Sequence, residues 1–75
     1  METALKTTQA LAQLVRRARK AQKMTQEELA GLTGTGCRFI SDLEHGKETA
    51  QLGKTLLVLS ALGIALSAVY TWDAA

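Results

Sequence analysis

The chain has 75 residues, 47% of them hydrophobic, enough for one small domain with its own core and too apolar for disorder. A single cysteine, Cys37, and a single histidine, His45, exclude an intrachain disulfide and a structural zinc site, so no metal or other cofactor is expected. The net charge of +2 conceals six cations against Glu2 in residues 1–24 and three cations against six acids in residues 25–75, a distribution that suits a polyanionic partner.

Proline is absent and aromatic content is low, which favours helix. The first helix is expected to start at Thr7 or Thr8 and run to about Lys23. Its apolar positions Leu11, Leu14, Val15, Ala18 and Ala21 recur at three- and four-residue spacing, a narrow stripe for a core. Arg16, Arg17, Lys20 and Lys23 cover the remaining surface, a solvated face that also attracts nucleic acid in general. Met24 is expected to end this helix.

Thr25-Gln26-Glu27-Glu28 has the spacing of a capping box and predicts a second helix from Gln26 to about Thr33, burying Leu29 and Ala30. The run GLTGTGCRF then interrupts good helix material with three glycines. Gly34 fits the left-handed position just past a helix, and Thr35 or Gly36 caps a third helix reaching about His45. Gly31, inside the second helix, suggests clearance against a neighbouring backbone. Ile40 and Leu43 point inward, Phe39 lies on the boundary, and Arg38, Ser41, Asp42 and His45 form one outward polar face. Gly46 closes this helix.

A fourth helix is expected from a Thr49 cap to Leu62, with Leu52, Leu56, Leu59 and Leu62 as its core stripe and Gly63 as its stop. Leu57, Val58 and Ala61 leave its other faces apolar, more than a chain this short covers by itself. Residues 55–72 carry no charge and are at the edge of transmembrane length, but Gly63 and several Ser and Thr argue against spanning, so no membrane partner is expected. Residues 64–72 suit a strand, and a lone strand leaves its backbone groups unpaired. Pairing with a second copy across a two-fold axis solves both problems. Leu57 and Ala61, with Ile64, Leu66, Val69, Tyr70 and Trp72, would form that interface; the plain alternative is a loose tail. Tyr70 and Trp72 suit dimer packing and another protein's surface equally.

A short helix, a glycine turn and a second helix with a polar outer face constitute a helix-turn-helix, which presents the second helix to the major groove of DNA. Cap, turn glycine and apolar anchors in one register make the joint signal specific. The run TQEELAGLTGTGCRFISDLEHGK resembles the lambda-repressor-like (Cro/Xre) helix-turn-helix domain. With LVRRARKAQKMTQEELA, GTGCRFISDLEHGKETAQLGKTL and LSALGI, the chain is similar to HipB-type antitoxins over about residues 8–64.

The resemblance implies a mainly α fold, a lambda-repressor-like bundle of four to five helices in residues 1–63. Residues 64–75 would supply a C-terminal β-strand and tail pairing across a homodimer. It implies a cytoplasmic, nucleoid-associated repressor of a palindromic double-stranded operator that also neutralises a HipA-like serine/threonine kinase toxin. Gln26 would hold a phosphate; Thr35, Gly36, Cys37, Arg38, Ser41 and Asp42 would face the groove; Lys47 would meet phosphate. Arg38 is the candidate for bidentate readout of guanine. Arg19 and Glu44 would form a structural ion pair. Asp42, repelled by phosphates, either accepts from a cytosine amine or pairs with Arg38 four residues earlier, the latter being favoured. Cys37 and His45 stand about 12 Å apart along one helix, too far for a catalytic pair, and nothing in the chain suggests enzyme chemistry. A free-standing Xre-type regulator without a toxin and a pure protein-interaction module are the rival readings.

Overall fold

The computed structural model describes residues 3–72 and contains four helices: α1 (Thr8–Ala21), α2 (Gln26–Thr33), α3 (Cys37–Glu44) and α4 (Leu52–Ala61). The fold is all-helical, with α3 packed on α1 and α2, and α4 packed on α2. Val15, Leu29, Ala30, Ile40, Leu43, Val58, Leu59 and Leu62 form one buried cluster; Leu11, Ala18, Met24, Phe39, Ala50 and Ile64 pack against its edge. Leu14 is half-buried and Ala21 is exposed, while Ala12 is buried, so the inward face of α1 sits slightly off the expected stripe.

Local chemistry accounts for the helix starts. Thr7 caps α1 by accepting from the Ala10 amide at 3.0 Å. At α2 the box is complete: Thr25 Oγ1 accepts from the Glu28 amide at 3.0 Å, and the Thr25 amide donates to Glu28 Oε1 at 2.9 Å.

Helix α1 ends earlier than expected. Lys23 takes a left-handed backbone (φ 57°), the Lys23 amide donates to Lys20 O, and the Met24 amide donates to Arg19 O. The chain thus reverses at a lysine where glycine is the usual occupant.

Helix α4 also departs from expectation. Its cap is Gln51, not Thr49, because Ala50 is drawn against the core and the first helical turn follows it. Its buried stripe is Thr55, Val58, Leu59 and Leu62, whereas Leu52 is 71% exposed and Leu56 44% exposed. An almost uniformly apolar helix has no phase that periodicity can read. Thr55 fits inside because its hydroxyl donates to the Gln51 carbonyl at 2.8 Å. Gly63 (φ 76°) ends the helix, so residues 55–72 are not continuous helix, and no helix among the described residues is long and apolar enough to cross a membrane.

Residues 64–72 have no helix and no strand pairing among the described residues. Positions 73–75 of the expected tail lie outside the described residues. Ile64 differs from the rest of the tail: its amide donates to Leu59 O at 2.9 Å and its side chain packs on the core.

Candidate nucleic-acid interface

The interface is built by the reversal between α2 and α3. Gly34 is left-handed (φ 69°, ψ 18°), and the amides of Gly34 and Thr35 both donate to the Ala30 carbonyl. A side chain at Gly34 would strain that backbone. Thr33 Oγ1 donates to Leu29 O at 2.9 Å and shares a 2.8 Å hydrogen bond with Thr35 Oγ1, which ties the turn to the end of α2. Gly36 then starts α3 without any side-chain cap.

Helix α3 is anchored by Ile40 and Leu43, both buried. Its opposite face carries Arg38 and His45, exposed, with Ser41 and Asp42 half-buried. Gly36 and Cys37 are exposed at its start and Thr35 is half-buried just before it. These positions therefore lie together on one surface. Gln26 is bonded to Glu44 and Lys47 to Asp42, both in the second half of α3. The Ser41 carbonyl lies 2.6 Å from His45 Nδ1, so His45 finishes the helix end rather than standing free.

Arg38 and Asp42 do not pair. Asp42 Oδ2 instead meets Lys47 Nζ at 3.4 Å, and Arg38 makes no ion pair among the described residues. The reversal at Gly46 (φ 79°) folds Lys47 back over the last turn of α3, where its amide donates to Asp42 O at 3.1 Å. That reversal delivers the Lys47 ammonium to the Asp42 carboxylate, which spacing within the helix does not reveal. The pair is partly exposed and worth at most about 1 kcal/mol.

The orientation of α3 is set by an ion pair on its inner edge. Arg19 Nε donates to Glu44 Oε2 at 2.7 Å and Arg19 Nη2 to Glu44 Oε1 at 3.0 Å, with the two side chains only 11% and 3% exposed. Arg19 Nη1 also donates to Met24 O at 2.8 Å, and Gln26 Nε2 to Glu44 Oε1 at 3.2 Å. Burial pushes the Glu44 carboxyl up, but hydrogen bonds from Arg19 and Gln26 and the charges of Arg19 and Arg16 outweigh it and hold the group below the ordinary carboxylate range. The hydrogen bond to Glu44 raises the Arg19 guanidinium, against the opposing effect of burial.

Three contributions escape sequence reasoning. Gln9 Nε2 donates to the His45 carbonyl at 3.4 Å and Gln22 Nε2 to the Leu62 carbonyl at 2.9 Å, so a glutamine in α1 and the one that caps it bind the ends of α3 and α4. Lys54 Nζ lies 5.8 Å from the centroid of the Phe39 ring on α3. The contacts of Gln9, in α1, and Gln22, its C-cap, join residues 36 and 40 positions apart, and no local pattern announces them.

Of the expected dimer residues, Leu57, Ala61, Leu66, Val69, Tyr70 and Trp72 are exposed, while Ile64 is half-buried against its own chain's core. The Tyr70 and Trp72 rings are stacked, with centroids 4.6 Å apart and planes tilted by 40°.

Two helices joined at a left-handed glycine, the second anchored by apolar residues and showing a polar face to solvent, define a helix-turn-helix domain. The chain belongs to the helix-turn-helix family, whose profile matches residues 15–69. A relative in Sinorhizobium fredii, the uncharacterized HTH-type transcriptional regulator y4mF, is 52% identical over 66 residues, which are 88% of this chain and 87% of the relative. Among solved structures, a HipA–HipB–O2–O3 complex matches with a TM-score of 0.85 at 22% identity over 95% of this chain and 100% of that one. A HipB–O4 20mer complex matches with a TM-score of 0.81 at 23% identity over 99% of this chain and 100% of that one. The chain is a DNA-binding transcriptional regulator with a HipB-like fold, not an enzyme.

Proposed function

We propose that the chain is a dimeric repressor of the HipB type, which reads a palindromic operator with α3 and also neutralises a HipA-like serine/threonine kinase toxin. The observation that carries the reading is the outer face of α3. Arg38 stands there exposed and without an ion-pair partner among the described residues, on a helix whose inner edge is locked by Arg19, Glu44 and Gln26. A rigid helix with an unpaired arginine suits readout of a guanine edge, because the fork does not first have to break a salt bridge.

In this reading Thr35, Gly36, Cys37, Arg38, Ser41 and Asp42 face the bases, and Gln26 and Lys47 hold the phosphates on either side. Gln26 donates one amide hydrogen to Glu44 and keeps a second for a phosphate. Lys47 exchanges Asp42 for a phosphate, which frees the carboxylate to accept from a cytosine amine. Half-sites are expected about 34 Å apart, or a multiple of it, as in dimeric helix-turn-helix repressors.

The dimer reading rests on apolar surface that the single chain leaves bare. Leu57, Ala61, Leu66, Val69, Tyr70 and Trp72 have no cover of their own, and the stacked pair at i and i+2 fits one side of a strand. Residues 64–72 pairing with the same segment of a second copy would satisfy both backbone and side chains. The toxin half is supported by the fold match to HipB in a HipA–HipB complex.

Binding to DNA upstream of the chain's own gene, with Arg38→Ala as control, tests the repressor reading. Sequence-specific binding that depends on Arg38 supports it; binding indifferent to Arg38 or to salt sinks it. Native mass spectrometry with the neighbouring gene product tests the antitoxin reading. A complex with a kinase-like protein supports it, and a neighbour of another kind leaves a free-standing Xre-type regulator.

A further inference from the structure

We propose that Lys54 is an additional DNA-contacting residue, held over the Phe39 ring so that its ammonium meets a backbone phosphate beside α3. The inference rests on the reading of α3 as the recognition helix and extends the interface onto α4.

Residues 25–72 contain only three cations, Arg38, Lys47 and Lys54, and all three converge on α3. Arg38 is on the helix itself, Lys47 is bonded to its Asp42, and Lys54 reaches back from the first turn of α4 to its Phe39. Of the five acids in the same region, Asp42 and Glu44 also lie on α3 but are paired with Lys47 and Arg19, Glu48 follows Lys47 in the loop, and Glu27 and Glu28 lie in the first turn of α2. Phe39 and Asp42 are three residues apart on one helix, so the two lysines share one flank of α3. Gln26, bonded to Glu44, takes the other. A groove-bound helix meets one phosphate strand on each side, and this arrangement supplies cations to the side that Gln26 does not serve.

The ring gives the lysine its order. Phe39 is half-buried against the core and therefore fixed, and an ammonium over its face gains a cation–π attraction that restricts an otherwise free side chain. Rotamer freedom lost before binding is not lost again on binding. Lys54 makes no ion pair among the described residues, so its charge remains available. A phosphate fits better than a base edge: a lysine is a point charge without the planar fork of arginine, and phosphate contacts position rather than specify.

The test uses the full chain, a duplex from its own upstream region and a shuffled duplex of equal composition. Wild type is compared with Lys54→Met, Phe39→Leu and the double variant, all confirmed folded by thermal melts. Between about 50 and 200 mM salt, Lys54→Met should flatten the salt dependence by about one unit of slope per subunit, so that wild type loses roughly 3-fold more affinity per subunit than the variant. Both duplexes should weaken alike. Phe39→Leu should produce part of the loss, and the double variant should be no worse than Lys54→Met alone. An unchanged slope, a loss confined to the upstream duplex, or fully additive losses would each overturn the proposal. Failure of wild type to bind either duplex would overturn it together with the reading of α3 on which it rests.

Discussion

Gln26, the first residue of α2, donates to Glu44, the last residue of α3, at 3.2 Å, and so joins the two helices at the ends farthest from their connecting turn. Arg19 brings α1 to the same carboxylate through two further bonds. The turn at Gly34 alone leaves the interhelical angle free to vary; the shared carboxylate closes the triangle. Arg19→Ala or Glu44→Ala should each cost about 3 kcal/mol, because each leaves a buried charge without its partner. Urea unfolding measures this, and a loss below about 1 kcal/mol would rule out that role.

The same carboxylate gives the domain an acid limit. Glu44 is held below its ordinary range when folded, so the unfolded chain binds the proton more readily. The stability it contributes is complete above the ordinary carboxylate range and is lost as pH falls through the lowered folded value. Glu44→Gln should be less stable at neutral pH and should show a flatter acid limb. Thermal melts across the acid range check both, and an unaltered limb would place the acid sensitivity elsewhere.

Asp42 offers a prediction with two opposite signs. If it accepts from a cytosine, Asp42→Asn should reduce discrimination at one base pair by about 1–3 kcal/mol. It should also tighten binding to unrelated duplexes, because Lys47 is released from its 3.4 Å partner and a charge facing phosphate is removed. Titrations on cognate and shuffled duplexes separate the effects. Equal changes on both would leave Asp42 with electrostatic repulsion only.

The elements that local spacing controls were legible in the sequence. The box at Thr25 and Glu28, the reversal at Gly34 and the anchors Ile40 and Leu43 all depend on neighbours within a few positions. What stayed hidden depends on the third dimension. The phase of α4 was one, since a helix apolar on every side gives the same pattern in any rotation. The partner of Asp42 was another, because the chain doubles back at Gly46 and brings Lys47 to it. The candidate groove-facing positions follow from motif register, but the contact of Lys54 with Phe39 does not, since it joins the first turn of α4 to a residue fifteen positions earlier.

Two backbone positions should respond oppositely to common expectation. Gly31 has nothing within 4 Å of where a Cβ would stand, so the clearance suggested by its place in the helix is not what it provides. Gly31→Ala should stabilise by about 1 kcal/mol, raising the melting temperature by roughly 4–8 °C. Lys23, left-handed at the end of α1, should tolerate glycine with a gain of about 1 kcal/mol. A drop in melting temperature for either variant would point to a contact that the single chain lacks.

The tail prediction needs a careful cut. Ile64 belongs to the core and closes α4, so truncation after residue 65 should retain the four helices, whereas truncation after residue 63 should destabilise them. The chain cut after residue 65 should sediment as a monomer, and the full chain as a dimer. Trp72, the single tryptophan and 67% exposed in the isolated chain, should shift its emission to longer wavelength on dilution. Emission independent of concentration, with unchanged sedimentation after truncation, would remove the tail from the interface.

Gly36, Cys37 and Arg38 are exposed and belong to none of the packing that holds the four helices together. These three of the candidate groove-facing residues are thus uncoupled from the residues that maintain the fold, unlike Thr35 and Asp42, which are bonded into it. If α3 reads DNA, substitutions at Gly36, Cys37 and Arg38 would change its preference while leaving the buried cluster untouched. Divergent copies within one genome can acquire separate addresses on the same frame.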